Sequence, residues 1–77
     1  MRVSLKSLVE LDEFQSACNE AGYVAFWDSK IRAVVMEDAV GRHCFREGTN
    51  ASRVMEILRD TPPSEVFDEI LVPLMET

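Results

Sequence analysis

The stretch Tyr23–Asp38, YVAFWDSKIRAVVMED, decides the fold. Ten of its sixteen residues are apolar, and they lie on either side of Asp28-Ser29. Both halves are rich in β-branched and aromatic residues, and Asp28-Ser29 suits a two-residue turn, so the stretch predicts a β-hairpin. In that register Trp27 faces Lys30, Phe26 faces Ile31 and Val24 faces Ala33. Alternation across a strand then sorts Val24, Phe26, Ile31, Ala33 and Val35 onto one face. Tyr23, Ala25, Trp27, Lys30, Arg32, Val34 and Met36 fall on the other. The first set reads as the core side. The second mixes aromatics with cations, a candidate contact surface, although Val34 and Met36 among them suggest that a helix covers part of it. Glu37 to Gly41 makes a loop, and Arg42-His43-Cys44-Phe45-Arg46 predicts a third strand.

Working outward from the hairpin, helical patterns flank it on both sides. Ser7-Leu8-Val9-Glu10 has the spacing of a capping box, and Leu8, Leu11, Phe14, Cys18 and Ala21 recur at steps of three and four. This predicts one helix from Leu8 to Ala21, closed by Gly22 in a left-handed conformation. Before it, Val3 and Leu5 alternate within Arg2 to Lys6, the pattern of a short leading strand. After Gly48, Asn50 is a good N-cap for a second helix with Val54, Met55, Ile57 and Leu58 on its apolar side. Pro62-Pro63 ends it and starts a third, since proline fits a first turn and not a helix interior. Val66, Phe67, Ile70, Leu71 and Leu74 form the third stripe, which Pro73 loosens or ends. The expected fold is a single α+β domain over residues 1–77: a helix, a three-stranded antiparallel meander and two helices, with or without the leading strand.

With 77 residues, 47% hydrophobic and 29% charged, the chain has the composition of one ordinary globular domain. Nothing at its start has the form of a signal peptide, and no apolar run approaches the length of a membrane span, so the expected setting is cytoplasmic, with Cys18 and Cys44 reduced. The net charge of -6 is unevenly placed. Residues 1–22 carry -2, residues 23–48 balance, and residues 49–77 carry -4. Such a chain has weak attraction for nucleic acid or anionic membranes.

The chemistry-bearing residues are sparse. His43 is the only histidine and adjoins Cys44, but neighbours on a strand point to opposite faces and cannot form a nucleophile–base pair. Asp12-Glu13, Glu37-Asp38 and Asp68-Glu69 read as solvated faces, because paired carboxylates do acid–base work only inside a cleft that separates their pKa values. Two cysteines and one histidine lack metal-ligand spacing, and no phosphate-cradling glycine motif is present. The expectation is a protein without catalytic residues, metal or cofactor.

Three binding roles fit what is left. The first is a protein-interaction module, an inhibitor or accessory protein for a larger partner. Leu71, Leu74 and Met75 extend the third helix's apolar arc beyond one stripe, and are shared with a partner or a second copy, or complete the core. Small acidic chains of this kind resemble phage-encoded inhibitors and bacterial accessory proteins in size and charge, an analogy and no more. The second role is mimicry of nucleic acid by Glu56, Asp60, Glu65, Asp68, Glu69 and Glu76, several of them at same-face spacings. The third is single-stranded nucleic-acid binding on a sheet face carrying Tyr23, Trp27 and Arg32, where aromatics would stack on bases. Against it, Trp27 opposite Lys30 already makes an internal cation–π pair in the expected register.

Overall fold

A computed structural model describes residues 3–74. Ser4 opens the first helix, α1 (Leu5–Glu10), through reciprocal bonds in which Ser7 N–H donates to Ser4 Oγ and Ser4 N–H to Ser7 Oγ. The capping box therefore sits three residues earlier than Ser7/Glu10 predicts. What described part there is of the predicted leading strand is cap and helix, Val3 to Lys6. Leu11 then adopts an extended conformation (φ -78°, ψ 128°) and closes α1 while opening α2 (Asp12–Glu20). One predicted helix is thus two. Asp12 and Glu13 mark the second start, because anionic side chains are favourable in a first turn, beside unpaired N–H groups. Gly22 follows with φ +87°, as its left-handed role requires, and Tyr23 N–H reaches back to the Cys18 carbonyl.

The sheet has four antiparallel strands in sequence order, one more than predicted: β1 (Val24–Asp28), β2 (Ala33–Glu37), β3 (Arg42–Phe45) and β4 (Leu71–Pro73). The hairpin forms, but with a four-residue loop. Asp28 Oδ1 accepts from the N–H groups of Lys30 and Ile31, and Arg32 takes a left-handed conformation at φ 54°. Trp27 consequently pairs with Val34 and not Lys30, and Phe26 with Val35. The partners shift by four positions, an even number, so the predicted membership of each strand face survives.

What reverses is which face is covered. Leu8 of α1, Phe14 and Cys18 of α2, Ala51 and Val54 of α3 (Ala51–Leu58), and Phe67 of α4 (Pro63–Ile70) form one core with Ala25, Val34, Met36 and Phe45. Tyr23 and Trp27 are half-buried against it. The mixed face, whose Val34 and Met36 suggest partial cover by a helix, is therefore the inner one, and the Val24/Phe26/Val35 face, expected as the core side, is the outer. Phe14 is the hub: its ring meets Phe45 edge-on at 6.1 Å and Phe67 at 6.0 Å, tying α2 to the sheet and to α4.

α3 and α4 begin where the sequence places them. Asn50 Oδ1 accepts from Arg53 N–H, and Pro63 occupies the first turn of α4. The third predicted helix, however, stops at Ile70, and Leu71–Pro73 becomes β4 on the free edge of β3. Val72 precedes proline, which disfavours the helical region. Arg46 N–H donates to Ile70 O and Leu74 N–H to Arg42 O, so the intervening His43–Pro73 pair exchanges no ladder bonds. Proline's missing donor thus faces outward and costs nothing, its usual place on an edge strand. No described helix is long and apolar enough to cross a membrane.

Candidate functional site

Among the described residues, polar side chains gather against apolar ones at two places of interest. The first is at the end of the sheet where β2 turns into β3. Asp38 Oδ1 accepts from the N–H groups of Val40 and Gly41 and lies 3.3 Å from His43 Nε2. The His43 ring stands edge-on to Tyr23 at 5.7 Å, and Tyr23 to Phe67 at 5.9 Å, extending the aromatic chain from the core to the surface. Partial burial opposes ionisation of Asp38, but the Gly41 and Val40 N–H donors and His43 outweigh it and hold the carboxyl below its ordinary range. Tyr23 moves the other way: burial first, then the charges of Asp38 and Asp68, push its phenol up.

This arrangement braces a loop. His43 points to the inner face while Cys44 is on the outer one, opposite Val35, so the two side chains lie on different sides of the sheet. Cys18 is fully buried and burial pushes its thiol up to about 12, which keeps it protonated at neutral pH. Among the described residues no three of His, Cys, Asp and Glu are placed to hold a metal ion. Because the native pKa of Asp38 is depressed, its stabilising contribution is full above the ordinary carboxylate range and fades as pH falls through the native value. Urea unfolding from pH 6 to pH 2 is expected to show this acid-side loss, and Asp38→Ala to lower the midpoint at pH 6 while flattening the dependence below pH 4.

The second place is a groove in the helix layer. α2 and α3 each pack against α4, and a cleft of about 460 Å³ opens between them. Ala17, Met55, Leu58 and Pro63 form its apolar floor, and Asp12, Glu13 and Glu20 stand along the α2 side. It continues past Leu11 and Val3, where the adjoining hollow of about 330 Å³ shares Met55 and Arg59 with the first. Leu11 is 38% exposed, and Met55 and Leu58 are half-buried although they lie on the apolar side of α3. Burial of that stripe is incomplete because the break at Leu11 turns α2 and because α3 and α4 are only eight residues each.

The residues that the sequence marks for partner binding are dispersed. Tyr23 and Trp27 pack on the core, and Arg32 is exposed in the β1–β2 loop, so the three do not make one stacking surface. Glu65, Asp68 and Glu69 are exposed on α4. Leu71 is half-buried in β4 against the core and Leu74 is half-buried just beyond it, while Met75 lies outside the described residues, as does Glu76. The sequence does not single out the groove residues. Their signal is the acidic first turn Asp12-Glu13, with Ala17 and Glu20 at helical spacing, beside a second apolar stripe too long for its neighbours. Neither protein-family models, curated proteins nor solved structures give a match to this chain.

Proposed function

We propose that the protein is a non-enzymatic interaction module, an inhibitor or accessory protein that seats a basic amphipathic helix of a larger protein partner in the α2–α3 groove. The observation that carries this reading is the pairing of an apolar, methionine-containing floor with a carboxylate-lined wall. Helix-in-groove recognition uses that combination: apolar anchors at helical spacing enter the floor, and flanking lysines or arginines meet the wall. Met55 suits the role because an unbranched thioether adapts to different anchors.

A second reading has its own support. Acidic side chains dominate the helix layer, and Glu65, Asp68 and Glu69 are exposed on α4, so a surface imitating nucleic acid would lie there. Single-strand binding through Tyr23, Trp27 and Arg32 has none, since helices cover the face that holds the two aromatics.

A photo-crosslinking side chain placed in turn at Arg59, Glu69 and Val40 separates these readings in lysate. The groove reading expects the Arg59 probe to capture one protein through a lysine- or arginine-bearing helical segment, with little captured at Glu69 or at Val40, which is 90% exposed. Capture concentrated at Glu69, on a phosphate-binding surface of the partner, would replace the groove by mimicry.

A further inference from the structure

The groove carries open charge on both of its walls. Asp12, Glu13 and Glu20 line it from α2, and Arg59 lines it from the end of α3. All four residues are exposed, and among the described residues none of them enters an ion pair. Arg53, the cation within α3, is by contrast answered on its own helix by Glu56 at 3.4 Å. Arg59 also borders the adjoining hollow together with Asp12 and Glu13, so it faces the acidic wall from the α3 side.

The acidic wall has a spacing as well as a sign. Residues at both ends of the nine-residue α2 border one cleft, so the groove runs along that helix. Glu13 and Glu20 are two turns apart on one face of it, a rise of about 10.5 Å. Ser16, between them on the same wall, carries no charge.

We propose that the helix bound in the groove carries a fixed charge pattern: two cations seven residues apart on one flank, an anion on the other, and apolar anchors between. This rests on the helix-in-groove reading and specifies its ligand. A helix lying along α2 repeats the same rise, so cations at positions i and i+7 meet Glu13 and Glu20 together, whichever way the ligand runs. A carboxylate at i+2 or i+9 falls on the far side of that helix, toward Arg59. Anchors on the arc between the flanks rest on Ala17, Met55 and Leu58. Arg59 sets specificity, because it repels a helix that is cationic on both flanks and attracts one whose charge is divided.

Fluorescence anisotropy with three labelled synthetic helices tests the pattern. The first bears leucine anchors, lysines at i and i+7, and glutamate at i+2. The second, of identical composition, exchanges the glutamate with the lysine at i+7. The third replaces the glutamate by lysine. The first should bind about 10-fold or more tighter than the second, and about 5-fold tighter than the third. Net charge alone, -6 on the protein, ranks the third above the first. Arg59→Glu, at an exposed position and with its fold checked by circular dichroism, should reverse the order of the first and third. Equal binding of the first two, or a third peptide that binds the parent protein more tightly than the first, overturns the charge pattern while the groove reading stands. No binding by any peptide, or amide shifts that avoid Glu13, Ala17 and Met55, overturns the groove reading and the pattern with it.

Discussion

Phe14→Ala is expected to remove a large part of the protein's stability. Phe14 is fully buried and stands edge-on to both Phe45 and Phe67, so its ring joins α2, β3 and α4 at one point. Removing a buried phenylalanine ring costs about 3–5 kcal/mol through lost transfer energy and the cavity left behind. A domain of this length has roughly 4–12 kcal/mol to lose, and small domains shift by about 4–8 °C per kcal/mol, so the melting temperature should drop by roughly 12–40 °C. Phe26→Ala is the instructive comparison. Phe26 sits on the outer sheet face and is half-buried, so its removal should cost distinctly less. Equal losses from the two variants in urea unfolding would show that both faces are covered, contrary to the fold described above.

The second large effect concerns the groove. Glu13→Lys combined with Glu20→Lys reverses two charges along the α2 wall without touching the apolar floor. Each reversal turns an attraction for a cationic ligand into a repulsion, about 1 kcal/mol or more apiece at an exposed site, so affinity for a basic helix should fall roughly 30-fold or more. Raising salt should narrow the difference. Stability should change little. A lysine at position 13 is unfavourable in the first turn of α2, one at position 20 is favourable in its last, and the two terms offset. Affinity unchanged by the double variant, with the fold intact by circular dichroism, would remove the carboxylates from the recognition mechanism.

Much of the architecture was legible because local chemistry and packing agree there. Asn50, Pro63 and Gly22 act at helix ends as their side chains dictate. The hairpin was legible in its two-residue alternation, but its orientation was not. Val24, Phe26, Ala33 and Val35 are as apolar as Ala25, Trp27, Val34 and Met36, so alternation separates the faces without saying which one helices cover. The tail shows the opposite failure. Ile70, Leu71 and Leu74 continue a helical stripe, yet Val72-Pro73 and the free edge of β3 favour a strand, a tertiary gain that periodicity does not register. The groove was obscure for a related reason. It depends on a helix break at Leu11, a residue with no turn propensity of its own, and on the separation of α2 from α3.

The central claim is that the α2–α3 groove takes a basic amphipathic helix. The most direct measurement is an amide chemical-shift titration of the isotope-labelled protein with a synthetic helix bearing leucine on one face and lysine on the other. The groove predicts saturable shifts at Glu13, Ala17, Met55 and Leu58, weakened by salt and by the Glu13→Lys/Glu20→Lys pair, with little change along Val24, Phe26 and Val35. Shifts confined to the outer sheet face or to α4, or no saturable shift at the groove, would contradict it.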